Sequence, residues 1–317
     1  YRAELFWAGG VPPYVPAEYR SGNPSYSRTE ALIGSLNQVF VKETTRMEAK
    51  IQAGVQQSPE QNKQYFLLSG FLAKYYYFPD FPPPPSTEPE KNKREVYDAI
   101  ARKFGAITVG AFPNDFQSQL FYVRFLQDSA ELSLGLDKDI DEAVDTLKMA
   151  SRLCKSVASN KKTLGEFKSN FIHQDGVILS RLSSLYYENN KEVAGREAYL
   201  KLIENIPRLD GMLPHIWFDL LARVNALSLT VVIVDSGLSA SEIDRIYDAV
   251  EKNISLARTI SSKYPAREGA SIEPMLSIHR FIPICLAYRW GSKRQVQTNI
   301  RKDEQAVIDA YLDSKQH

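Results

Sequence analysis

The chain has 317 residues, 44% of them hydrophobic, with 39 basic against 38 acidic side chains for a formal charge of +1. That is enough apolar material for one large helical domain or two ordinary ones, and the balanced charge excludes a global field drawing it to nucleic acid, anionic lipid or an acidic substrate. Two cysteines, Cys154 and Cys285, lack CxxC or metal-ligand spacing; they exclude a disulfide framework and are preferentially read as buried free thiols.

Residues 1–26 carry Pro12, Pro13, Pro16 and Pro24 with three glycines, so neither a helix nor a central strand survives there. The same segment holds Phe6, Trp7, Tyr14 and Tyr19, an aromatic content foreign to a solvated tail. These four are candidate partner contacts of an extended arm that docks on another subunit or lies along its own domain. The chain opens on Tyr1, with neither a signal-peptide apolar core nor transit-peptide composition. A removed leader or an omitted start is expected, and the compartment stays open.

Ser27 with Glu30 has the form of a capping box and predicts a helix to about Gln56 with Leu32, Ile33, Leu36, Val39 and Phe40 at helical spacing. Ser58-Pro59-Glu60-Gln61 repeats that logic and predicts a second helix burying Phe66, Phe71, Leu72, Tyr75 and Tyr76. These two make an N-terminal hairpin over 27–78. Six prolines between Pro79 and Pro89 predict a stiff linker over 79–92 and the clearest domain boundary. The PxxP spacing of Pro82 and Pro85 is read as part of that linker rather than as a ligand for an SH3-type domain.

A helix over about 93–110 is expected to bury Val96, Tyr97, Ile100, Ala101, Phe104 and Ile107. Three helix pairs follow within a domain spanning 93–265: 115–134 with 139–156, 176–188 with 191–206, and 214–234 with 240–263. Pro207 and Pro265 close the second and third. Leu182, Tyr186, Ala194, Ala198, Tyr199 and Pro207 give the second pair a resemblance in architecture to a tetratricopeptide repeat, from which no function is carried over. Residues 229–234, Leu-Thr-Val-Val-Ile-Val, favour a strand by propensity, but lacking a partner strand they are read as the buried end of a helix. Residues 266–317 are expected to form two further helices, the first interrupted at Pro283.

No coherent catalytic set emerges. Asp137, Asp139, Asp141, Glu142 and Asp145 begin like a calcium loop, but Glu142 stands where the sharp turn needs Gly and Lys148 where the bidentate Glu belongs. A helix N-terminus capped by Asp139, with Glu142 closing the box, explains the cluster better. His173, His215, His279 and His317 are too scattered for a zinc pair, and Cys285 with His279 would point to different faces of a helix. Neither a phosphate-binding glycine loop nor the paired acids of magnesium-dependent prenyl-transfer enzymes are present. No cofactor or metal is expected.

Arg289, Trp290, Lys293 and Arg294 interleave charge with an aromatic ring, and a solvated helix end or an acidic protein partner is preferred over nucleic acid as the reading of them. The longest apolar runs fall well short of the roughly 20 residues that span a bilayer.

The expected fold is all-α, with antiparallel helix pairs in a solenoid-like array of the tetratricopeptide or HEAT kind, or an irregular bundle, preceded by the extended arm. The expected function is a non-catalytic structural or adaptor subunit whose partners are other protein subunits, a role compatible with a peripheral place on a membrane complex. The alternatives are an all-helical enzyme with a sparse site around His215, Asp219 or Cys285, and an RNA-binding helical-repeat protein.

Overall fold

The structure, a computed structural model, describes residues 24–75, 88–134, 139–205 and 237–263, with Leu220, Arg223, Val224, Leu227, Ser228, Thr230, Val231, Val234 and Asp235 between the last two ranges. Every extended element among them is helical: α1 Pro24–Gln52, α2 Pro59–Tyr75, α3 Glu88–Ala111, α4 Phe116–Leu132, α5 Ile140–Ser159, α6 Gly165–Glu188, α7 Glu192–Asn205 and α8 Ala240–Lys263. No described residue lies in a strand. The aromatic arm up to residue 23, most of the proline-rich linker, the loop at 135–138, and the helices expected beyond Pro265 lie outside the described residues. Close approaches divide the chain into two compact units, the first running to Leu153 and including Lys161–Thr163, the second made of Cys154–Asn160 and the residues from Leu164 on.

In the first unit α1 begins at Pro24, which places Ser27 inside the helix rather than at its cap. Proline suits a first helical position because the missing N–H would have no intrahelical partner there. The helix stops earlier than its apolar spacing suggests. Gly54 takes φ +73°, Val55 N–H donates to Lys50 O at 3.0 Å, and Gly54 N–H donates to Ile51 O at 3.0 Å. These paired bonds are the glycine-ended Schellman closure. The box opening α2 forms as its residues predict, with Ser58 N–H donating to Gln61 Oε1 at 2.9 Å and Gln61 N–H to Ser58 Oγ at 3.2 Å.

Helices α2 and α3, on either side of the proline-rich segment, pack extensively on each other, and α1 and α4 pack against them. The fully buried Phe66 sits among Phe121, Tyr122 and Phe125 with ring centroids 5.0, 5.5 and 6.3 Å away, all edge to face. Tyr65 meets Phe104 at 4.6 Å, and Phe40 meets Phe71 at 4.8 Å, joining α1 to α2. Rings in such arrangements add to the stabilisation from area burial alone. Phe66, Phe71 and Leu72 are buried as expected, and so is Tyr65, whose phenol burial pushes up to about 12.

Two expected core residues of α3 are not in the core. Val96 is 49% exposed and Ile107 is 41% exposed. Ala101 and Phe104 are buried as expected, and Arg94, Asp98 and Thr108 complete the inward face, on the side of the helix away from Val96 and Ile107. The reason is partly polar: Asp98 accepts from Ser129 Oγ at 2.6 Å and from Arg102 Nε at 2.7 Å, so a carboxylate takes a core position that an apolar-spacing rule leaves to solvent. It is partly steric, because Gly105 on that face lets the rings of Tyr122 and Phe66 close onto the backbone.

Asp115 caps α4, accepting from Ser118 N–H at 3.1 Å, Ser118 Oγ at 2.7 Å and Lys63 Nζ at 2.6 Å. Burial works against its charge, but these bonds outweigh it and hold the carboxyl below its ordinary value of 3.8. A folded-state value below the unfolded one stabilises the fold above the unfolded value, and that contribution disappears as pH falls through the folded one. Lys63→Met is therefore expected to lose less stability than the parent chain between pH 7 and pH 3 in urea titrations; an equal loss would detach Lys63 from the acid response.

In the second unit α6 and α7 form an antiparallel hairpin, since the three-residue break at Asn189-Asn190-Lys191 leaves no other way for adjoining helices to pack. Asn190 takes φ 57°, Lys191 N–H donates to Tyr186 O at 2.8 Å, and Asn190 N–H donates to Tyr187 O at 3.2 Å. Asparagine is the side chain that best substitutes for glycine at such a position. Helix α6 begins eleven residues before the position its apolar pattern suggests. Its N-cap, Leu164, makes no side-chain cap bond, so the usual start signal is missing.

The described residues of 220–234 are helical, including Thr230, Val231 and Val234 from the run with strand propensity. Val224, Leu227 and Val231 are buried at helical spacing while Val234 is 42% exposed. Tyr199, fully buried in α7, meets Ser228 Oγ at 2.5 Å. Because Ser228 donates its own hydrogen to Val224 O, Tyr199 Oη is the donor.

Helix α8 spans the predicted residues, and its box forms: Ser239 N–H donates to Glu242 Oε2 at 2.8 Å and Glu242 N–H to Ser239 Oγ at 3.3 Å. Ile243, Ile246 and Tyr247 are buried as its apolar face requires, and the side chains of Val250, Ile254 and Ile260 lie outside those described. Ser239→Ala is expected to cost about 1 kcal/mol in chemical unfolding. No measurable loss would mean that the cap is not what holds this helix start.

Candidate functional site

None of the eight candidate contact residues, Phe6, Trp7, Tyr14, Tyr19, Arg289, Trp290, Lys293 and Arg294, lies among the described residues, and neither do His215, Asp219, His279 or Cys285. Of the other groups singled out for chemistry, Cys154 is fully buried, and burial together with nearby Asp175 pushes its thiol well up. That is the environment of an inert thiol. His173 lies half-buried with Nδ1 3.5 Å from Gln174 Nε2. Among the described residues no group of His, Cys, Asp and Glu is arranged to hold a metal ion, and no helix is long and apolar enough to cross a membrane.

The acidic cluster at α5 is only partly the expected box. Asp139 Oδ1 accepts from Glu142 N–H at 2.9 Å, as a cap does. The return bond is replaced: Asp139 N–H donates to Ser133 O at 3.2 Å, while Glu142 Oε1 lies 3.1 Å from Arg102 Nη2. A guanidinium on a neighbouring helix competes successfully for the glutamate. Arg102 also donates from Nη1 to Thr146 Oγ1 at 3.0 Å, so one side chain of α3 holds Asp98 on its own helix and two residues of α5.

A second polar tie, in the second unit, has no forecast in the sequence reading. Asp235 is fully buried and accepts from Tyr187 Oη at 2.9 Å and from Gly237 N–H at 2.9 Å, with Arg196 Nε 3.4 Å from its Oδ2. Arg196 also donates from Nη1 to Gly237 O and lies 3.5 Å from Glu242, the residue that completes the α8 cap. Burial, then the bond to Asp235, raises the Tyr187 phenol far above its ordinary value. This tie links α6, α7 and the start of α8. Asp235 reads in the sequence only as part of an Asp-Ser-Gly break, because nothing local signals partners 39 and 48 residues away.

These ties account for the buried Asp98 and Asp235; the surface carries a different signal. The residues of α3 that face solvent from 95 onward are Glu95, Val96, Ala99, Lys103, Ala106, Ile107, Gly110 and Ala111, of which only Glu95 and Lys103 are charged. On α5 the corresponding residues are Asp141, Glu142, Asp145, Lys148, Met149, Arg152, Lys155, Ser156 and Ser159, and Met149 alone is apolar. An outward helix face is normally polar, as α5 illustrates. The α3 face presents two branched aliphatic side chains flanked by small residues along about three turns, with Lys103 Nζ lying 5.6 Å from the ring of Phe104. Chemically such a face can bury area against another protein surface.

No family model, no curated protein and no solved structure matches the chain.

Proposed function

We propose that the protein is a non-catalytic structural or adaptor subunit of a larger protein assembly, binding other subunits through its helical surface and N-terminal arm. The observation that carries this reading is the outward face of α3, where Val96 and Ile107 stand in solvent among Ala99, Ala106, Gly110 and Ala111 with Glu95 and Lys103 the only charges, while the neighbouring helix α5 is clothed in charge. Exposed apolar residues gathered on one helix face are more characteristic of a contact surface than of a solvated one. Polar side chains of the described core support the same reading, since Asp98, Arg102, Arg196 and Asp235 are engaged in holding helices to one another. The aromatic arm adds anchors of the type that dominate interface energies.

The test compares three forms of the tagged protein purified from native extract: the full chain, the chain beginning at Pro24, and the full chain with Val96→Glu and Ile107→Glu. Both altered forms are expected to lose co-eluting protein subunits while keeping helical circular dichroism and their thermal midpoint. Retention of the same partners by both would overturn the reading, and early melting of the shortened chain would mark the arm as a strap on its own domain.

A further inference from the structure

We draw no further inference here: the strongest candidate, the outward face of α3 as a docking surface for one particular partner, belongs to the site already described, and nothing in the structure shows what covers it.

Discussion

Gly105→Ala is expected to destabilise the protein by about 2–3 kcal/mol, although the same exchange in an open helical position is favourable by roughly 1 kcal/mol. A Cβ at residue 105 would stand 2.4 Å from two ring carbons of Tyr122 and 2.9 Å from one of Phe66. Neither ring can easily retreat. Tyr122 is anchored by its hydroxyl, which donates to Arg102 O at 3.1 Å, and Phe66 is enclosed by Tyr122 itself and by Phe121 and Phe125. Gly110, on the same helix, has nothing within 4 Å of the corresponding point and serves as the control. Urea unfolding should show Gly110→Ala unchanged or slightly stabilised and Gly105→Ala clearly weakened. Equal behaviour of the two would mean that α2, α3 and α4 approach less closely than described.

The second large effect is expected at Asp235, where replacement by alanine should cost about 3–5 kcal/mol. The loss comes mainly from what is left behind: the hydroxyl of Tyr187 would lose its acceptor, and Arg196, with its side chain only 12% exposed, would lose its buried carboxylate and keep only Gly237 O and the part-exposed Glu242. An uncompensated buried group costs more than the net worth of the bond it formed. Adding Arg196→Met to Asp235→Ala should therefore cost less than the sum of the single changes, with a coupling detectable in a double-mutant cycle. Strict additivity, or a single-variant loss below about 0.5 kcal/mol, would show that the carboxylate does not hold the helices together.

These two sites mark where sequence reasoning reaches its limit. Local signals were readable: Ser58 with Gln61, Asp139 toward Glu142 and Ser239 with Glu242 all place helix starts, because a cap acts over three residues and leaves its partners adjacent in the chain. Helical character at Thr230 and Val231 could be inferred despite their strand propensity, since a lone strand has nothing to pair with. The orientation of α3 was only partly readable: Ala101 and Phe104 face inward as expected, whereas Val96 and Ile107 do not. Its apolar residues occur on both sides, and the side that faces inward is settled by Ser129 and Thr146 reaching Asp98 and Arg102 from other helices, contacts 31 and 44 residues apart. The early start of α6 escaped for the opposite reason, a helix beginning without the side-chain bond that would advertise it. Of the proposed contact surface, the aromatic arm was legible as composition, whereas the α3 face emerges only once its inward side is known.

The core built from Phe66 and its neighbouring rings also determines how the molecule can be watched. The three tryptophans, Trp7, Trp217 and Trp290, all lie outside the described residues, so the rings enclosed by helices in the described part are phenylalanines and tyrosines. Indole emission therefore reports on the tryptophan-bearing segments alone, whereas phenol absorbance is shared with them, since Tyr14, Tyr19 and Tyr288 lie in the same stretches; helical circular dichroism is the second signal, which follows the described helices. If the two optical signals change at one denaturant concentration, the tryptophan-bearing segments lose their surroundings together with the helical core; if they separate, the interval between them measures how far those segments act on their own.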